Sequence, residues 1–195
     1  LAIHWNNLTP VFIDIDKSSL TLDPDQLKNS IGPDTCAILP VHVFGNSCDT
    51  EQIQEIADRH DLKVIYDAAH CFGVKLKNKS ICMYGDMSVL SFHATKVFSC
   101  IEGGAVVCRN EMLKRKIDAL SNFGMYENSE PAGYGLNAKM NELQAAFGLA
   151  TLNYVDEAIQ KRKKSVSLYK KLFKVIKGIS FLPEQTDVQH NYCYL

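Results

Sequence analysis

Short apolar runs alternate with amphipathic stretches along the first half of the chain. Residues 11–15, 36–41 and 63–66 are rich in Val, Ile and Leu and have strand length, the first ending on Asp14 and Asp16. Between the first two, Asp23-Pro24-Asp25 opens a helix with Leu27 and Ile31 on one face, since Asp suits the cap and Pro the first turn. Asp49 caps a second helix, with Ile53, Ile56 and Ala57 at helical spacing. Strand, helix, strand, helix, strand predicts parallel crossovers and an α/β sheet. Residues 89–92 and 105–108 predict two more strands with only a turn between them, which makes the pair antiparallel, or at least not joined by a helix. Residues 111–120 predict a charged amphipathic helix. Residues 125–136, rich in Gly, Asn, Ser and Pro, read as a mobile loop. Residues 141–150 predict an Ala-rich helix with Leu143, Ala146, Phe147 and Ala150 inward. Residues 152–175 continue as a Lys- and Arg-rich helix with Leu168, Leu172 and Val175 as its buried stripe. Gly178 stops it, and a strand follows. Within it, Lys161-Arg162-Lys163-Lys164 reads as a solvated face.

Composition narrows the class. The chain has 195 residues, enough for one domain or one and a half, and 46% of them are hydrophobic, which suits a buried core. A net charge of −1 gives no electrostatic case for nucleic acid or an anionic membrane. No apolar run reaches the ~18 residues of a membrane span. The seven cysteines form no Cys-x-x-Cys pair, so no zinc site is expected. An odd number of thiols, several inside apolar runs, fits a reducing cytoplasm.

The chemistry concentrates at two points. Lys96 is a lone lysine between apolar runs, just before Glu102-Gly103-Gly104 and a new strand. Burial disfavours a charged amine, and a neutral amine can attack an aldehyde to form a Schiff base. Asp67 stands at the C-terminal end of the 63–66 strand, where open α/β sheets bind ligands. A carboxylate there can pair with a protonated pyridine nitrogen, so the two residues together suggest pyridoxal 5'-phosphate. Each also has a plain structural reading, Lys96 as a snorkelling surface residue and Asp67 as a turn or cap. Glu102-Gly103-Gly104 lacks the phosphate-loop pattern and opens a strand; its glycines suit a tight turn.

Several motifs then follow in order: Val64-Ile65-Tyr66-Asp67-Ala68-Ala69-His70, Gly85-Asp86, Ser91-Phe92-His93-Ala94-Thr95-Lys96, Glu102-Gly103-Gly104, and Asn137-Ala138-Lys139-Met140-Asn141-Glu142. With residues 10–16 and 40–46, this series resembles the DegT/DnrJ/EryC1/StrS family of pyridoxal-phosphate-dependent sugar aminotransferases. The likeness spans roughly residues 1–160. It implies an aspartate-aminotransferase-like α/β fold, with a mixed, mostly parallel sheet between helices. Residues 1–150 would be part of the cofactor-binding large domain, and 151–195 a linking helix and the start of a small C-terminal domain. Both ends read as breaks in a longer chain, with a Gly-Thr phosphate-binding turn expected upstream.

The resemblance implies transfer of an amino group, from an amino acid such as glutamate, to a keto sugar on a nucleotide. It also implies a cytoplasmic homodimer with shared active sites, and amino sugars of the lipopolysaccharide O-antigen kind. Ser91-Phe92-His93-Ala94-Thr95-Lys96 is similar to members that aminate C4 of dTDP- or UDP-linked 4-keto-6-deoxysugars. Lys96 would be the covalent anchor and proton carrier, and Asp67 the ring-nitrogen partner. His70 would lie near the cofactor's phenolic oxygen, or else pack in the core. Ser91 would offer its hydroxyl to the phosphate, or bond its own backbone. Asn137 would reach the partner subunit's cofactor phosphate, or simply cap a helix. His42, His93 and Trp5 read as packed rings, although each could line the site. Two rivals keep the fold: a truncated or non-catalytic relative, and a dehydrating relative, which carries His where this chain has Lys96.

Overall fold

The structure, a computed structural model, describes residues 1–127 and 130–194. Residues 128 and 129, inside the loop expected at 125–136, lie outside the described residues. Four strands form the central sheet: β1 (Ala37–Ile38), β2 (Lys63–Asp67), β5 (Met87–Ser91) and β6 (Gly104–Cys108), in that order. β1 and β2 run parallel, as do β2 and β5, whereas β6 returns antiparallel to β5. The mixed, mostly parallel sheet agrees with the expected fold class. A smaller antiparallel sheet joins β3 (Lys75–Leu76), β4 (Lys79–Ser80) and β7 (Val188–Gln189), in the order β4-β3-β7.

Helix starts follow local chemistry. Asp23 accepts from the N–H groups of Asp25 and Gln26 and begins α2 (Pro24–Ser30), and Asp49 caps α3 (Thr50–His60) by accepting from Gln52. These helices bury Leu27, Ile53, Ile56 and Ala57 against Ile38, Val64 and Tyr66 of β1 and β2. In β2 the burial alternates, with Val64 and Tyr66 in this core and Asp67 half-buried at the strand's end. Gly85 makes the next approach possible. Its φ is +69°, and a Cβ there would sit 2.8 Å from the Tyr66 ring. The following residue, Asp86, accepts from the Val64 N–H at 2.8 Å and ties the start of β5 to β2. A second core gathers Ala68, Cys71, Val74, Ile81 and Cys82, with Leu90, Val107 and Val188 packed on it.

Several expectations are corrected. Residues 11–15 are not a strand: Ile15 makes a single bridge to Leu22, and Phe12 is exposed. Asp16 instead turns the chain by accepting from the N–H groups of Ser18 and Ser19. The run 36–41 is a strand only at Ala37–Ile38, with one further bridge from Val41 to Asp67. Residues 92–103, not a turn, separate β5 from β6. The β3–β4 hairpin was not anticipated; Lys77 and Asn78 turn it, both at positive φ (48° and 64°). No strand begins directly after Gly178; the next one, β7, forms only at Val188–Gln189, against β3.

The helices α4 (Glu111–Ser121), α5 (Glu142–Leu152) and α6 (Val155–Phe173) complete the chain after the short α1 (Ala2–Trp5). α5 is apolar around most of its circumference, so its sequence selects a facing side only weakly, and the side that packs is the one carrying Gln144, Gly148 and Thr151. Leu143, expected inward, is 80% exposed, and Phe147 is exposed too. The side that meets the body is Gly148, where an added Cβ would lie 3.2 Å from Cys100 Cβ. Leu168, Leu172 and Val175 of the anticipated stripe are exposed as well; α6 turns Val155, Ile159 and Val166 inward instead. α6 ends at Phe173, before Gly178.

Candidate functional site

The parallel pairing of β2 and β5 brings their C-terminal ends to one edge. Asp67 is in register with Val89, so Ser91 lies two residues further on at the same edge. The loop after β5 turns back there. The Lys96 N–H donates to the His93 carbonyl at 2.9 Å, leaving Lys96 half-buried. Phe72, Phe92 and Phe98 pack in a mutual cluster around the base of this loop, with centroids 4.5–5.8 Å apart. Asp67 accepts from the Ala69 N–H at 2.9 Å, and its own N–H donates to the Pro40 carbonyl. Ser91 Oγ accepts from the His93 N–H at 3.4 Å, the local backbone bond weighed for it above.

His70 joins these groups electrically. Burial holds its imidazole below the usual range, the Lys96 charge adds to that, and the Asp67 carboxylate opposes it. Both charges therefore act on this ring. Its orientation is fixed from the other side, since the Phe44 N–H donates to His70 Nδ1 at 2.9 Å. The Phe44 ring lies parallel to it, 5.9 Å away. With Nδ1 accepting, the neutral ring carries its proton on Nε2. Cys193 is close as well: burial raises its thiol, and the charges of Arg162 and Lys96 pull it back.

The remaining candidates separate. Asn137 is exposed and bridges to Asn122; it is not the helix cap, because α5 begins at Glu142 under a capping box made by Asn141 and Gln144. His42 is a buried ring stacked on Tyr66 at 4.4 Å, accepting from the Cys48 N–H at Nδ1. His93 is exposed and bonds Thr95 Oγ1, and Trp5 is 76% exposed, so neither is the packed ring expected. Phe44, Asn191 and Tyr194, which surround His70, were not singled out from the sequence. The one cue was a polar Asn inside the aromatic run 190–194.

The chain matches the model of the DegT/DnrJ/EryC1/StrS aminotransferase family over residues 1–195. It belongs to that family. Among curated DegT/DnrJ/EryC1/StrS proteins, it is 47% identical over 193 residues to a dTDP-4-amino-4,6-dideoxy-D-glucose transaminase of Shigella dysenteriae, covering 99% of this chain and 53% of that one. The protein of the same description from Escherichia coli is 42% identical, covering 99% of this chain and 52% of the relative. Among solved structures, DesI in the presence of its TDP-sugar product superposes with a TM-score of 0.92 at 38% identity, covering 99% of this chain and 49% of that one. The chain thus spans about half the length of the relatives it matches. Aminotransferases of this family depend on pyridoxal phosphate. The donor set at the sheet edge fits that group: an amine (Lys96), a carboxylate (Asp67), an Nε2–H donor (His70) and a hydroxyl (Ser91). No helix among the described residues is long and apolar enough to cross a membrane.

Proposed function

We propose that the whole protein moves an amino group from an amino acid, glutamate by preference, to a nucleotide-linked keto sugar. A dTDP-4-keto-6-deoxysugar is the substrate class that the two transaminase relatives favour. The observation that carries the reading is the parallel pairing of β2 and β5, which brings Asp67 and Ser91 to one edge of the sheet, next to the loop that holds Lys96 and a His70 whose proton is held on Nε2 by Phe44. Pyridoxal phosphate, when bound, supplies an electron sink for the carbanion formed at the reacting carbon. Lys96 would hold the cofactor's aldehyde through its Nζ and, once the donor's amino group has displaced it, its freed amine would carry the proton at the donor's Cα and at the sugar carbon. Asp67 would keep a proton on the pyridine nitrogen by charge. His70 would offer its Nε2–H to the phenolic oxygen, and Ser91 its Oγ–H to the phosphate.

The reading extends to assembly and place. Residues 1–150 form part of a cofactor-binding large domain, and 151–195 a linking helix and the start of a small one. The protein works as a homodimer in the cytoplasm, with Asn137 reaching the partner's cofactor phosphate, in the making of O-antigen-type amino sugars. The uncovered apolar residues Leu143 and Phe147, one turn apart on α5, support a protein partner on that side. The test is borohydride reduction of the complete protein with pyridoxal phosphate, followed by peptide mapping and a panel of nucleotide keto sugars. The adduct is expected on Lys96, with dTDP-4-keto-6-deoxysugars turned over. An adduct on another lysine would move the site. An adduct on Lys96 without turnover of any keto sugar would leave a cofactor-binding, non-catalytic relative.

A further inference from the structure

Three segments far apart in sequence converge behind His70: the Phe44–Gly45 turn, the loop 70–72 and the C-terminal segment 190–194. Asn191 joins them. Its side chain is 1% exposed, and its Nδ2 donates to the His70 carbonyl at 2.7 Å and to the Phe72 carbonyl at 2.9 Å. Its Oδ1 accepts from the Cys193 N–H at 3.1 Å. Both amide hydrogens and the carbonyl oxygen are thus engaged. Gly45 is shaped to this carboxamide: its φ is +89°, and a Cβ there would lie 3.0 Å from Asn191 Oδ1. Holding Cys193 places Tyr194, whose ring meets His70 edge-on at 4.9 Å and Phe44 at 5.6 Å.

We propose that Asn191 and Tyr194 form a positioning clamp on His70, Asn191 fixing the backbone of its loop and Tyr194 the edge of its ring. Phe44 closes the third side, so the imidazole is left with one orientation, Nδ1 toward the Phe44 N–H and Nε2 free to donate. The clamp rests on the reading of His70 given above, because only a ring used as a donor needs its tautomer set. The effect of Asn191 and Tyr194 passes through His70. The charged groups that bear on the ring are Asp67 from β2 and Lys96 from the loop after β5.

The experiment uses the ¹⁵N-labelled full protein without cofactor. Long-range proton–nitrogen spectra report which His70 nitrogen is protonated, and amide exchange reports Phe44 and Cys193. In wild type, His70 should show Nε2–H and a protected Phe44 amide. Asn191→Ala should mix the tautomers and speed exchange at both amides by about tenfold, the factor for one lost buried hydrogen bond. Tyr194→Leu changes a side chain that is 40% exposed, so the fold should survive even where Asn191→Ala does not. It should loosen the His70 tautomer and Phe44 while leaving Cys193 protected. If His70 and Phe44 were unchanged in a folded Asn191→Ala, or in Tyr194→Leu, there would be no clamp. If wild type showed the clamp but bound no pyridoxal phosphate, the functional reading would fall and the clamp would stand.

Discussion

The backbone N–H of Phe44 and the Nδ1 of His70 meet at 2.9 Å across a separation of 26 residues. Phe44 holds that position at a φ of 57°, an uncommon value for a bulky residue. A protonated imidazole carries a hydrogen on Nδ1, so protonation breaks this bond as well as adding charge.

His70 should therefore set an acid limb on activity. Its ring is held below the usual imidazole range, so it stays neutral above the ordinary value of 6.5 and protonates only at lower pH. Activity should be flat on the neutral side and fall as pH drops through the lowered value. His70→Gln keeps an N–H donor and should remove the limb while retaining most activity. His70→Phe should lose roughly tenfold, the worth of one hydrogen bond. Profiles of kcat/KM for the three proteins decide it; an identical limb in His70→Gln would assign the titration to another group.

Asp67→Asn should weaken catalysis far more than folding. Its Oδ1 accepts from the Ala69 N–H, a bond an amide oxygen retains. The charge on a ring nitrogen is what it cannot replace, and losing that charge-assisted bond removes about 1.5–3 kcal/mol, or tenfold and more in rate. Turnover assays beside thermal melts check this, and a wild-type rate would remove Asp67 from the ring-nitrogen role.

Complementation tests the shared site. Lys96→Ala and Asn137→Ala should each be inactive or severely impaired. In a mixed dimer one site collects both defects and the other neither, so subunit exchange should restore part of the activity. Proven heterodimers without recovery would show that Asn137 acts within its own subunit or not at all.

His42 should make stability sensitive to acid. Burial pushes its imidazole down to about 3 from 6.5. As pH falls below 6.5 the unfolded chain takes up the proton first, so stability is full above that value and drops toward about 3. The slope is up to about 1.4 kcal/mol per pH unit from this ring. His70 and His190 are also shifted down and add to it. His42→Asn keeps an acceptor for the Cys48 N–H but does not titrate. Urea midpoints between pH 7 and 4 should fall less steeply in the variant, and parallel curves would count against a neutral buried His42.

The sequence alone determined what depends on neighbours along the chain. The caps at Asp23 and Asp49, the short apolar strand at 63–66, and the placement of Asp67 and Ser91 at strand ends are written in local pattern. The ordered motifs around Lys96 carried the family. Tertiary structure decided what needs a distant partner. Residues 11–15 have strand-like composition, but a strand exists only where another backbone pairs with it, and Asp16 captures the turn first. α5 is apolar around most of its circumference, so periodicity pointed to Leu143 and Phe147, whereas Gly148 decided the packed side by allowing the closest approach. The setting of His70 depends on Phe44, 26 residues before it, and on Asn191, 121 residues after it. No local pattern records such contacts, because a hydrogen bond is specified by where the folded backbone brings two groups, not by their spacing along the chain.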